Sequence, residues 1–273
     1  MIQLVSLGSG SGGNAFALVA PDGVILIDAG FSAKEIRKRA GAAGVDLDRL
    51  ALIVVTHEHG DHSSSASRLA NYYRIPIAAT EGTHRALALR NTGLRITLRS
   101  ASIVECGPFA VHSCRTLHDA AEPTAIVVEA GEVRVGFAYD FGRPTVGLRH
   151  LLRDCDALVL ESNYDDVLLR TSHYPASVQH RIAGSGGHLS NRAAAELTAN
   201  LLHDGLSLVV LAHLSQHCNR ADLARTTVAA HLDQLGFRGT LAVAEQDRPV
   251  GPFEIPASLA KYRSTPQAEL DLW

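Results

Sequence analysis

Thr56-His57-Glu58-His59-Gly60-Asp61-His62 follows directly on Ala51-Leu52-Ile53-Val54-Val55, and these two stretches decide the reading of the chain. The apolar, β-branched run has the composition of a buried strand. The heptapeptide then sets three imidazoles and a carboxylate just beyond that strand's end. Imidazole suits zinc, iron and copper, and carboxylate suits harder ions such as manganese. In a loop leaving a strand, His57 and His59 can converge on one ion, while Asp61 and His62 open the next turn and can face a neighbouring ion. Ser63 has the chemistry of a helix N-cap, so a helix is expected over 63–73. Scattered surface histidines would not explain this spacing directly after a buried strand.

Composition sets the wider limits. The chain has 273 residues, 46% hydrophobic and 19% charged, which fits an α/β globular protein with a full core. Its longest apolar runs fall short of the ~18 residues a membrane helix needs. The start, Met1-Ile2-Gln3-Leu4-Val5, does not read as a signal peptide. The four cysteines form no Cys-x-x-Cys pair; buried thiols in a reducing cytoplasm are the simplest reading. A net charge of −3 argues against a wholly basic nucleic-acid binder, although a local groove with metal ions can still hold a phosphate backbone.

Outward from the heptapeptide, 2–7 reads as a strand followed by Gly8-Ser9-Gly10-Ser11-Gly12-Gly13-Asn14. This matches G-x-G-x-x-G, but a dinucleotide fingerprint requires a helix next, and residues 15–27 read as a hairpin around Pro21-Asp22-Gly23. The loop's amides with Ser9, Ser11 and Asn14 still suggest a phosphate cradle. A capping box at Ser32–Glu35 predicts a helix to about 43. Helices are expected over 83–91 (with Gly93 closing it), 175–182, 190–202 and 220–235. Strands are expected over 75–79, 101–105, 109–115, 124–129, 133–139, 157–160, 207–211 and, last, 240–244. His118, Asp140, Glu161 and His213 each follow an expected strand, where α/β proteins place functional groups. The arginines at 85, 90, 95 and 99 read as a solvated face. From 249 the text turns irregular, so a catalytic domain over 1–248 and a C-terminal tail over 249–273 are expected.

His57-x-His59-x-Asp61-His62 resembles the signature of the metallo-β-lactamase superfamily. The resemblance implies an α/β fold, a four-layer αββα sandwich of two mixed sheets flanked by helices, with metal at the sheet ends. It also implies a ligand set: His57, His59 and His118 around one ion, Asp61, His62 and His213 around the other, Asp140 between them. Two such ions lie ~3.5–4 Å apart and acidify a bridging water, which Asp61 would orient. Glu161 and His188 are suited to act together as a general acid on the leaving oxygen. Glu161, Gly187–Asn191 and His213–Asn219 are similar to the small bacterial YycJ/WalJ exonuclease group over roughly 1–248. That similarity implies a 5′→3′ exonuclease on double-stranded DNA in mismatch repair, with manganese favoured and zinc possible, working beside repair or single-strand-binding partners. It further suggests that Ser9, Ser11, Asn14, Ser190, Asn191, Ser215 and Asn219 supply contacts to a terminal 5′-phosphate. The rivals are a hydrolase of small esters, thioesters or lactones on the same ligands, a mono-iron oxygenase, and a structural metal protein. Metal identity, DNA against RNA, and oligomeric state stay open at this level.

Overall fold

The computed structural model describes residues 1–87 and 94–258. The chain begins with β1 (Ile2–Gly8), β2 (Ala15–Ala20) and β3 (Gly23–Ile27), then helix α1 (Ala33–Ala42). After β4 (Leu50–Val54) come a single turn, α2 (Gly60–Ser63), and α3 (Ala66–Tyr73). β5 (Ile77–Ala79), α4 (Glu81–Ala86) and β6 (Arg95–Thr97) follow. Four antiparallel strands come next: β7 (Ile103–Cys106), β8 (Phe109–Arg115), β9 (Thr124–Ala130) and β10 (Val133–Ala138). The remainder is α5 (Val146–Leu152), β11 (Ala157–Glu161), α6 (Asp166–Arg170), α7 (Ala176–Ala183) and α8 (Asn191–Leu201). It closes with β12 (Leu208–Ala212), α9 (Ala221–Gln234), β13 (Thr240–Val243) and β14 (Val250–Ile255).

The strands form two seven-stranded sheets, β14-β1-β2-β3-β4-β5-β6 and β13-β12-β11-β10-β9-β8-β7. Each is antiparallel at one side and parallel at the other, over β3–β6 and β10–β13. Side chains alternate across a strand, and here both faces are buried. In β3, Ile25 and Ile27 face the second sheet while Val24 and Leu26 face α1 and α3. In β9, Ile126 and Val128 face inward while Ala125 and Val127 lie against the α5, α8 and α9 side. Strands clad on both faces read as unbroken apolar runs, which is why they were recognisable. Phe16 and Phe137 meet across the inter-sheet layer at 6.0 Å between ring centroids. The four-layer sandwich expected from the sequence is present. Among the described residues no helix is long and apolar enough to cross a membrane.

Several local expectations change. Ser63 does not cap a helix: it ends α2, its hydroxyl donating to the carbonyls of Glu58 and His59. The next helix starts three residues later, at Ala66. The helix expected over 83–91 begins earlier, capped by Thr80; its expected end and Gly93 lie outside the described residues. Among the elements that went unread are β6, α5 and α6. The last strand is not β13, because β14 pairs antiparallel with β1. The irregular tail expected from 249 therefore does not begin there, and residues 259–273 lie outside the described residues.

Candidate metal centre

The parallel half of each sheet sends its strands toward one edge, and the site lies where the two edges meet. The heptapeptide leaves β4, Asp140 follows β10, Glu161 ends β11 and His213 follows β12. Asp28, Asp140 and His213 occupy the left-handed region, with φ of 58°, 57° and 54°. Non-glycine residues are uncommon there, and holding them costs about 1–3 kcal/mol each. Asp140 and His213 so placed turn their side chains into one space, and Asp28 backs it through His62.

That space gathers the ligand atoms. His57, His59 and His118 each place a ring nitrogen within 4.8 Å of the others, as do the atoms of Asp61, His62 and His213. Asp140 joins both His57–His62 and Glu161–His188–His213 within the same limit. His57 Nε2 and His59 Nδ1 are 3.1 Å apart, close to the ~3.3 Å between two nitrogens sharing one tetrahedral ion at ~2.0–2.1 Å. His62 Nε2 lies 2.9 Å from Asp140 Oδ2, yet that oxygen and His213 Nε2 are buried and make no hydrogen bond. Buried polar atoms are seldom left so.

The opposite ring nitrogens are held. His62 Nδ1 lies 2.8 Å from Asp28 Oδ2, His118 Nδ1 3.1 Å from the Gly186 carbonyl, and His213 Nδ1 3.0 Å from Glu161 Oε1. His57 Nδ1 is 3.1 Å from Thr56 Oγ1. Carboxylate and carbonyl partners behind imidazoles are the usual outer support of metal-ligating histidines, fixing tautomer and ring orientation. The charge pattern agrees. Burial works against a charged His213, but Asp140 and Asp61 outweigh it and raise its pKa to about 9. For His188 burial is likewise outweighed, by Glu161 and Asp140, and the value rises to about 10. Asp140 stays well below the carboxylate range despite its burial, because His213 and His62 face it. The carboxylates thus draw positive charge into the centre, and the donor set fits two divalent cations.

His188 and Glu161 are adjacent, Nδ1 to Oε1 at 2.8 Å. Glu161 is fully buried and also accepts from the amides of Phe141 and Leu189, each at 3.1 Å. It therefore supports His188 and His213 together, a wider role than the pairing read from sequence. A cavity of about 250 Å³ opens over the cluster, with Ser11, Ser215, Tyr174 and Arg181 in its walls.

Of the seven side chains expected to bind a terminal phosphate, only Ser11 and Ser215 reach this cavity. The other five are buried and bonded within the protein. Ser9 donates to Asn14 Oδ1 and accepts from the His213 amide, at 2.7 and 2.9 Å. The Asn14 backbone N–H donates to the Asp61 carbonyl at 2.8 Å, so the glycine-rich loop clamps the metal turn while Ser11 of the same loop reaches the cavity. Ser190 caps α8, while Asn191 and Asn219 bond each other at 2.8 and 2.9 Å and hold Ser162, just past β11. Three residues escaped the sequence reading. Asp28 accepts from the Thr56 amide, His62 and the Tyr139 hydroxyl, each at 2.8 Å. Glu58 Oε1 accepts from the Ala121 amide at 2.6 Å and ties the His118 loop to the heptapeptide. Asn163 Nδ2 donates to the His213 carbonyl at 2.7 Å. The available signal was an acid just past a buried strand, which Asp28 shows as clearly as Asp140.

The sequence profile of the metallo-β-lactamase superfamily matches residues 8–169. An exodeoxyribonuclease YycJ of Bacillus anthracis is 32% identical over 235 residues, 85% of this chain and 89% of that protein. The exodeoxyribonuclease WalJ of Streptococcus pneumoniae serotype 2 is 29% identical over 234 residues, 84% and 87% of the two chains. Among solved structures, the metallo-β-lactamase fold protein YhfI of Bacillus subtilis superposes with a TM-score of 0.70. It is 18% identical and covers 92% of this chain and all of that one, a likeness of fold.

Proposed function

The chain belongs to the metallo-β-lactamase superfamily, and from that membership we propose that it is a metal-dependent exodeoxyribonuclease. In this reading it degrades double-stranded DNA 5′→3′ from a phosphorylated end, in cytoplasmic mismatch repair with repair or single-strand-binding partners. The resemblance to the exodeoxyribonucleases named above supports the substrate class. The Glu161–His188 pair beside the ligand cluster carries the phosphodiester chemistry.

His57, His59 and His118 would hold one ion, Asp61, His62 and His213 the other, with Asp140 between; manganese is favoured and zinc possible. Bound divalent ions supply an acidified water and neutralise charge on the phosphoryl oxygens. Asp61, only partly buried and facing the cavity, positions the attacking water through its carboxylate. His188 holds a proton for the departing oxygen, and Glu161 Oε1 keeps the ring in place and stabilises its charged form. Ser11 and Ser215, at the cavity wall, are placed to donate hydroxyls to a substrate phosphate.

The test is digestion of end-labelled substrates with manganese. Duplex DNA with a 5′-phosphate, the 5′-hydroxyl duplex, single-stranded DNA and the matching RNA are compared, using wild type and Asp61→Ala. Mononucleotides released from the 5′-phosphorylated duplex by wild type alone are the expected result. If no nucleic acid is degraded with manganese or zinc, while a small ester is hydrolysed, the nuclease reading is wrong.

A further inference from the structure

A second cavity, of about 510 Å³, lies on the same edge of the sandwich as the metal centre. Its walls come from the end of β6, the end of β8 and the start of β9, with Arg99, Ser100, Ser113 and Arg115 among them. Two acids border it. Glu81 is paired with Arg95 at 3.2 Å and Arg85 at 3.5 Å. Glu122, still charged, is held by a backbone amide, its Oε2 accepting from Gly82 at 2.8 Å. Arg99 and Arg115 are exposed, and among the described residues neither guanidinium has a carboxylate or hydrogen-bond partner. Two unpaired guanidiniums therefore share one concave surface on a chain of net charge −3.

The guanidinium fork matches a phosphate with two parallel hydrogen bonds. The position suits a duplex running across the site. β8 delivers Arg115 to this cavity and, three residues on, His118 to the metal centre, so the 116–123 loop has one cavity on each side. β6 stands two strands from β4, a span of ~10 Å at ~4.8 Å per strand. Phosphates on one DNA strand advance ~3.4 Å each along the axis. We infer that this cavity receives a backbone phosphate of duplex DNA about three nucleotides from the cleaved linkage, clamped by Arg99 and Arg115. The identity of the polyanion rests on the exodeoxyribonuclease reading.

The experiment measures duplex binding by fluorescence anisotropy in chelator, where cleavage cannot occur, across a salt series. Arg99→Ala and Arg115→Ala should each lower the slope of log affinity against log salt by ~0.9, since each removes one phosphate contact. Arg99→Lys and Arg115→Lys should restore the slope, because the charge returns. Hydrolysis of bis(p-nitrophenyl) phosphate with manganese, a diester too small to reach this cavity, should equal wild type in every variant. Slopes equal to wild type in both alanine variants overturn the inference, as does a wild type that does not bind duplex. Loss of small-diester hydrolysis alongside the slope assigns the arginines to the fold and overturns it too. A wild type that binds duplex but never cleaves it counts against the nuclease reading, and the slopes still decide the cavity.

Discussion

Asp28 shows how much one buried carboxylate can organise. It is fully buried and accepts from Thr56, His62 and Tyr139, so it aims His62 at the centre and fixes the first residue of the heptapeptide. Asp28→Asn puts an amide where an N–H donor already points. Outer partners of this kind are worth about 10–100-fold in metal affinity, so a loss of that size is expected from chelator-competition titration. Unchanged affinity would show that His62 needs no such support. His188 is the other decisive residue. In His188→Ala, kcat on DNA should fall about 10²–10⁴-fold, and much less on a p-nitrophenyl diester, whose leaving group departs without a proton. An equal fall on both substrates would mean the imidazole does not act on the leaving oxygen.

Elements decide where those residues stand. The turn α2 is held by backbone bonds from its neighbours: Asn14 N–H to the Asp61 carbonyl at 2.8 Å and Ala29 N–H to the His62 carbonyl at 2.7 Å. Gly30 permits this closeness, because a Cβ there would sit 1.6 Å from the Asp61 carbonyl oxygen. On the other side, the Glu58–Ala121 bond holds the loop that carries His118. Glu58→Ala should free that loop and weaken the His57–His59–His118 set alone, taking bound metal from two ions toward one by elemental analysis. A full complement of two would refute the latch. This scale is also where the sequence was hardest to read. Ser63 has N-cap chemistry, but the functional turn uses its hydroxyl internally and delays the helix. α6 is five residues long and β6 three, too short for periodicity to register. β14 was hidden by Gly251 and Pro252, signals of irregular chain that an edge strand tolerates. Asn14 and Ser9 are buried and bonded to each other, an arrangement that their polarity in the sequence does not reveal.

For the whole molecule, metal and proton compete for one centre. With no metal bound, His188 and His213, raised to about 10 and about 9, are protonated at pH 7. A ligating ring must be deprotonated, so metal uptake by His213 should release protons. Affinity should climb as pH rises toward 9 and fall as it drops. Calorimetry in buffers of different ionisation enthalpy reads the release directly, and a count of zero would contradict the charge pattern. Bound metal should also raise the melting temperature, since a ligand at 100 times its Kd stabilises the folded state by about 2.7 kcal/mol. The fold class was legible because its strands are apolar on both faces and its ligands sit at their ends. The pairing of β14 with β1 was not, because the partners lie at opposite ends of the text.

That pairing governs the order of events during synthesis. β1 is made long before β14, so its outer row of amides and carbonyls is covered only when Val250–Ile255 arrives. His213 and β12 also emerge late. A nascent chain can therefore assemble the His57–His59 corner early, but it cannot complete either the sheet or the second ion's ligand set until most of the protein has left the ribosome. Until then the open strand edge is available to other chains.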